Sequence, residues 1–159
     1  MLFTALNIEN YGPFENRSFE NLSPRLTVIL GPNEAGKSAM RAFIRMVLFG
    51  FGDRRQRELF DFYNYPPVRG GSGSGSISVR TALGKVYTFR RREGPHGGPV
   101  TVTGDESGDN DLLALLIGHI SEDVYQNVFS ISLRELQQFE TLNSGQVPLR
   151  RDGSVAYSV

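Results

Sequence analysis

The sequence predicts an α/β fold, because a strand–loop–helix unit lies near the N-terminus and several short alternating runs follow it. Residues 26–30 form an apolar run rich in β-branched side chains, which is typical of a buried strand. Residues 38–49 then place apolar side chains at helical spacing, and Gly50 and Gly52 are expected to end that helix. The loop between these two elements therefore lies between a predicted strand and a predicted helix, which is the structural context that a phosphate-binding motif requires.

The remaining elements are predicted from the same periodicities. Strands are expected at residues 2–10, 17–19, 77–81, 86–90 and 99–103. Helices are expected at residues 111–117 with an Asp cap, after Ser121, and at residues 133–142. Residues 70–76 are all glycine and serine, so we expect a flexible native loop or an artificial linker there. Residues 1–159 are thus predicted to form one lobe, with a mixed sheet around the loop-bearing strand, an antiparallel β layer and flanking helices.

Residues 31–38 fit the pattern G-x-x-x-x-G-K-[ST], and we call them the phosphate loop. Its two glycines let the backbone curve closely around an anion, and the loop amides and the following helix dipole would hold phosphate oxygens. Lys37 would be the catalytic lysine that bridges the β- and γ-phosphates of ATP, and the Ser38 hydroxyl would ligate magnesium. The ATP-binding residues predicted in this way are Gly31, Pro32, Asn33, Glu34, Ala35, Gly36, Lys37, Ser38 and Ala39.

Composition excludes several other kinds of site. The chain has 17 basic and 17 acidic side chains, so no net charge attracts nucleic acid or an anionic membrane. It has no cysteine, and its two histidines, His96 and His119, are too few for a histidine-based metal cluster. The N-terminus lacks the features of a secretory signal, and no apolar run is long enough to span a bilayer. We therefore expect a cytoplasmic location and no membrane partner.

Two groups of residues outside the phosphate loop are further candidates. Tyr11, in the first predicted turn, and Arg69, which follows an aromatic segment, are candidates for contacts with the nucleotide; packing within a loop is the alternative for the aromatic segment. Residues 90–92 are three successive arginines. Strand alternation would divide them between two faces, so we expect solvated surface there rather than a phosphate site.

The arrangement resembles the N-terminal lobe of the SMC superfamily of ABC-type ATPases, and within it the YhaN/SbcC type. The resemblance rests on four stretches, namely Leu-Asn-Ile-Glu-Asn-Tyr-Gly-Pro-Phe at residues 6–14, the strand–loop–helix unit at 26–51, Tyr-Pro-Pro with Gly-Gly at 65–71, and residues 124–142. Together they span nearly the whole chain. The phosphate loop alone is shared by many unrelated ATPases, whereas this combination is much narrower.

The resemblance implies a head built from two lobes that a long coiled coil separates in sequence. ATP would join two heads as a homodimer, the C-terminal lobe would be a partner, and DNA and an Mre-type nuclease would be further partners in double-strand-break repair or chromosome maintenance. The sequence contains neither a Walker B acidic pair nor the Ser-Gly-Gly signature, and Gln137 is the candidate for the family's magnesium-contacting glutamine. We therefore expect the full-length protein to hydrolyse ATP and this lobe alone to be nearly inactive.

Two other function classes are also compatible with this sequence. A small-molecule kinase also begins with strand, loop and helix, but the sequence shows neither an arginine-rich lid nor a second parallel βαβ run. A regulatory module without nucleotide would not require the Lys37–Ser38 pair at the start of the helix.

Overall fold

The computed structural model describes residues 1–51 and 65–130, and the chain divides into two compact units, Met1–Ile120 and Ser121–Val159. The elements of the first unit are β1 (Leu2–Tyr11), β2 (Phe14–Phe19), α1 (Lys37–Phe49), β3 (Ser74–Arg80), β4 (Val86–Arg92), a 3₁₀ turn (Pro95–Gly97), β5 (Val100–Gly104) and α2 (Asn110–Leu116). Those described in the second unit are the short helix α3 (Glu122–Val124) and a π-helical turn (Tyr125–Phe129).

The five strands form one sheet in the order β2-β1-β3-β4-β5, and every neighbouring pair is antiparallel. Alternate side chains on these strands are apolar, so one face of the sheet is buried and the other is polar. The fully buried strand residues include Leu6, Ile8, Ile77, Val79, Phe89 and Val102. The strands predicted from alternation are therefore confirmed, each with bounds that differ by a few residues.

Helix α1 covers the buried face of the sheet, and its predicted extent is confirmed to within one residue. Phe43 and Met46 on its inner side are fully buried, and Tyr11 meets Phe43 edge to face at 5.8 Å between ring centroids. Gly50 ends the helix as predicted, with φ of 97° and its amide donating to the Met46 carbonyl at 2.8 Å.

The strand predicted at residues 26–30 is wrong within the described part of the chain. These residues have no strand conformation, and Leu26 and Leu30 are 75% and 88% exposed. A strand needs a neighbour that accepts and donates its backbone hydrogen bonds, and no described strand pairs with this segment. The expected mixed sheet is accordingly not found among the described residues, whose sheet is antiparallel throughout.

The glycine–serine run at residues 70–76 is more ordered than predicted, because its second half belongs to the sheet. Strand β3 begins at Ser74, which is buried and donates its hydroxyl to Glu9 at 2.9 Å. A Cβ atom on Gly75 would lie 2.5 Å from the Asn7 carbonyl oxygen and 2.6 Å from the Phe43 ring. Glycine is therefore needed here for close packing, and the run is an integral part of the fold.

The helix caps follow the predicted chemistry with one shift. The cap of α2 is Asp109, whose carboxylate accepts from the Asp111 amide at 3.0 Å, so the capping residue lies just before the predicted helix. Ser121 caps α3 as predicted and accepts from the Val124 amide at 3.3 Å. The helix predicted at residues 133–142 lies outside the described residues, and so does Gly52, the second glycine predicted to end α1. Among the residues that are described, no helix has the length and apolar character needed to cross a membrane.

The packing around Gly75 gives a first prediction. Gly75→Ala should destabilise the fold by about 1–3 kcal/mol, because the added methyl group must displace backbone or an aromatic ring. Gly94→Ala is the matched control, since the nearest atom to its added Cβ lies at an ordinary 3.5 Å. Thermal or urea unfolding of both variants measures the difference, and equal stability of the two would contradict the role assigned to Gly75.

Candidate functional site

The phosphate loop is an exposed turn that leads directly into α1. Two of its residues have left-handed backbone conformations, Glu34 with φ of 67° and Gly36 with φ of 90°. Within the loop, the Ala35 amide donates to the Pro32 carbonyl at 3.3 Å. Alternation of right- and left-handed residues turns successive amides toward one side of a turn, which is the geometry of an anion-binding nest.

The Lys37 side chain folds back over this loop. Its Nζ atom donates to the carbonyl oxygens of Gly31 and Pro32, each at 2.7 Å. These two bonds tie the start of the loop to the start of the helix. An ammonium group has three N–H donors, so one donor remains for an anion bound beside it.

The first turn of α1 presents backbone donors of its own. Met40 donates to the Gly36 carbonyl at 2.8 Å, so the helical ladder begins at Met40 and leaves the amides of Lys37, Ser38 and Ala39 ahead of it. Helix α1, which lies wholly within the described residues, has no acidic side chain in its first turn. The positive end of its dipole is therefore not neutralised from within the helix, which favours an anion there.

The turn between β1 and β2 packs against the phosphate loop and the helix start. A Cβ atom on Gly36 would lie 2.6 Å from the Phe14 ring and 2.9 Å from the Pro13 ring. A Cβ atom on Gly12 would lie 3.1 Å from that of Ala39. The two glycines therefore allow the first hairpin of the sheet to touch the loop, and their absence of side chains fixes how close the two can come.

Residues 65–69 run beside the same turn, and Val68 and Arg69 line one side of an open cavity of about 300 Å³ there. Gly12 donates to the Tyr65 carbonyl and accepts from the Val68 amide, both at 3.1 Å. At this cavity an exposed ion pair joins Arg69 to Glu15 at 2.8 Å. The cavity is lined by Asn10, Gly12, Pro13, Phe14, Glu15, Arg17, Val68 and Arg69.

The predicted site residues that the structure describes thus fall into three positions. Residues 31–38 form one continuous exposed or half-buried loop, and Ser38 is the second residue of α1. Ala39 and Tyr11 are buried in the core, each with 1% exposure. Arg69 lies at the neighbouring cavity, and Gln137 lies outside the described residues.

Arg91 is a functional candidate that the sequence reasoning missed, because the expectation of solvated surface for residues 90–92 is wrong at this position. Its side chain is only 3% exposed, and its guanidinium donates to the carbonyl oxygens of Val47 and Gly98 at 2.9 and 2.5 Å. Burial lowers its pKa to about 10, which leaves it charged at neutral pH. Arg90, on the opposite face, pairs with Glu9 at 2.8 Å.

Comparison with known proteins agrees with the geometry of this site. Residues 1–146 match the family described as AAA domain. The chain belongs to this AAA domain family. It is also 29% identical over 146 residues to the uncharacterized protein YhaN of Bacillus subtilis (strain 168), a match that covers 90% of the chain and 14% of YhaN. The two matches support the resemblance to the N-terminal domain of an SMC-type ATPase, and membership of the AAA domain family indicates an ATPase-like function in general.

The bonds made by Lys37 give a second prediction, which needs no nucleotide. Lys37→Met removes both bonds to the loop carbonyls, so the amides of residues 33–38 should exchange with solvent deuterium about two- to tenfold faster. Lys85→Met is the control, since Lys85 forms an ion pair with Glu106 and both residues are far in sequence from the phosphate loop. Unchanged exchange in the Lys37 variant would show that the ammonium does not hold the empty loop.

Proposed function

We propose that this chain is the nucleotide-binding lobe of an ATPase that uses ATP with magnesium. The observation that supports this best is the position of the Lys37 ammonium, 2.7 Å from the first two carbonyls of the phosphate loop with one donor left. Unpaired amides at the start of α1 lie next to it along the chain. An ammonium and a helix start together suit the negative charge of a triphosphate.

The fit to magnesium is that of an ion held with phosphate rather than by a protein cage. Among residues 1–51 and 65–130 there is no group of three or more acidic or histidine side chains that could hold a metal. Ser38 supplies one exposed hydroxyl at the second position of α1. Magnesium usually binds few protein ligands together with substrate phosphates and water, and it neutralises their charge. Ser38 would thus orient the ion, while Lys37 and the loop amides orient the phosphates.

The cavity beside the first turn is the place we propose for the nucleoside part of ATP. Its wall includes Phe14, whose ring packs against Gly36 of the phosphate loop, so the cavity and the loop are neighbours. Its volume of about 300 Å³ lies at the lower end of the range for small-ligand pockets. Arg69 offers a planar guanidinium that can stack on a base or bond to ribose. Tyr11 would contribute through its packing in the core rather than through exposed surface.

The rest of a longer protein is the partner we propose for residues 26–30. The chain spans 14% of the length of YhaN, so the activity of such a whole protein includes parts that lie elsewhere. Exposed apolar side chains immediately before the phosphate loop, such as Leu26, Val28 and Leu30, favour a neighbouring strand from a second lobe. That lobe would also bring the groups that position water, so hydrolysis is proposed for the assembled head.

The cellular role follows the family resemblance. We propose that two heads form a homodimer on ATP, that the protein acts in the cytoplasm, and that DNA or an Mre-type nuclease is its partner. The test is ATP turnover and head dimerisation of the full-length protein with and without DNA. No change in either on adding DNA would remove DNA repair and chromosome maintenance from the proposal while leaving nucleotide binding intact.

Titration with ATP and magnesium tests the central proposal. Lys37→Ala should weaken binding about ten- to a hundredfold, because it removes a charge-assisted hydrogen bond to phosphate. Lys85→Ala, which changes an exposed lysine in the turn between β3 and β4, should bind like the wild type. Absence of ATP binding by the wild type would favour a regulatory module, and phosphate transfer to a small acceptor would favour a kinase.

Inorganic tripolyphosphate separates the cavity from the phosphate loop. Arg69→Ala should weaken ATP binding about three- to tenfold and leave magnesium tripolyphosphate unaffected, because only ATP has a base and ribose. Lys37→Ala should weaken both. If Arg69→Ala left the ATP affinity at the wild-type value, the nucleoside would have to bind elsewhere.

A further inference from the structure

The C-terminal end of α1 is held by a polar joint that the proposed nucleotide site does not use. Arg91 of β4 donates from Nε to the Val47 carbonyl at 2.9 Å and from Nη2 to the Leu48 carbonyl at 3.5 Å. These carbonyls belong to the last turn of the helix, whose acceptors have no partner within the helix. Burial of a charged group among carbonyls is favourable only when its donors are well placed, and here several are.

The same guanidinium connects the helix end to two other parts of the first unit. Nη1 donates to the Gly98 carbonyl at 2.5 Å, and Nη2 donates to the Asn110 side chain at 3.2 Å. The adjacent backbone joins in, since the Phe51 amide donates to the Gly97 carbonyl at 2.8 Å. A single buried side chain thus links β4, the turn before β5, the first residue of α2 and the end of α1.

The geometry of α1 makes this joint relevant to its other end. The helix is about 20 Å long and stiff, so a shift of one end along the axis appears at the other. The apolar contacts between its inner face and the sheet are not directional and resist such a shift weakly. The bonds from Arg91 have defined directions and are anchored in the sheet, so they resist it more strongly.

We propose that Arg91 is a positioning residue for the phosphate loop, because it holds the far end of α1 to the sheet and thereby sets where Lys37 and Ser38 lie. The inference rests on the proposed function insofar as ATP is the ligand of the loop. Arg91 touches neither the loop nor a ligand there, and its effect passes through the helix.

The test compares four variants of the intact chain. Arg91→Met removes the guanidinium and all of its hydrogen bonds. Arg91→Lys keeps the positive charge but can reach fewer carbonyl oxygens. Arg90→Met makes the same change one residue away, on the exposed face, where Arg90 pairs with Glu9. Val102→Ala removes buried apolar volume from β5, which packs on β4 and α2, and so lowers stability without changing the joint. ATP affinity and deuterium exchange of residues 33–38 are measured well below the melting temperature of each variant.

We expect Arg91→Met to weaken binding of ATP with magnesium about three- to thirtyfold and to speed exchange in the phosphate loop. Arg91→Lys should lie between it and the wild type, while Arg90→Met and Val102→Ala should match the wild type in both readouts. If Arg91→Met does not fold, Arg91→Lys and Asn110→Ala provide the same comparison.

Three results would overturn the proposal. One is a folded Arg91→Met chain that binds ATP and exchanges at the loop like the wild type. Another is an equal loss of ATP affinity in Val102→Ala, which would show that the loss in Arg91→Met comes only from the lower stability of the fold. The third is unchanged loop exchange in both Arg91→Lys and Asn110→Ala when Arg91→Met is unfolded. If the wild type itself bound no ATP, the proposed function would fail. Deuterium exchange of the loop without nucleotide would still test whether Arg91 positions the loop.

Discussion

The contact between the Lys37 ammonium and the first two carbonyls of the phosphate loop is the interaction on which the site depends. Those carbonyl oxygens carry partial negative charge beside the place where phosphate would bind. A cation between them and the anion offsets the repulsion that the oxygens would otherwise exert. The loop can therefore be shaped before any nucleotide arrives, and in the proposed function the lysine would act on the loop as well as on the ligand.

Besides the bonds made by Arg91, the sheet contributes to the site through close approaches at glycine. Gly12 and Gly36 let the first hairpin touch the start of α1, and Gly75 lets β3 lie against Phe43 in the middle of the helix. A side chain at Gly36 or Gly75 would have to displace an aromatic ring or backbone, and one at Gly12 would press on Ala39 of the helix. The absence of side chains at these glycines thus sets how closely α1 can approach the sheet, and the bonds of Arg91 hold the far end of the helix.

The parts of the fold predicted from sequence are those that local patterns determine. Periodicity over neighbouring residues predicts the extent of α1, its end at Gly50 and the alternating strands. The burial of Arg91 and the close packing of Gly75 depend on residues far away in sequence. The local composition, three arginines and a glycine–serine run, therefore predicts the wrong environment at both positions. Alternation offered a signal for Arg91, because it has the same parity as the buried Tyr87 and Phe89, whereas three adjacent arginines suggested solvent. In the candidate site, the sequence motif predicts which residues form the phosphate loop but not that the Lys37 ammonium bonds to the loop itself.

Residues 26–30 differ from these cases, because their apolar pattern was identified correctly while the strand is not found among the described residues. The pattern is a property of the sequence, but a strand also needs neighbours, and the described sheet ends at β2 on one side and β5 on the other. A neighbour in the remaining length of a protein such as YhaN would resolve this difference. The phosphate loop would then be fixed on one side by that sheet and on the other by α1. Because both ends of the loop would become rigid together, assembly with the second lobe and nucleotide binding should strengthen each other.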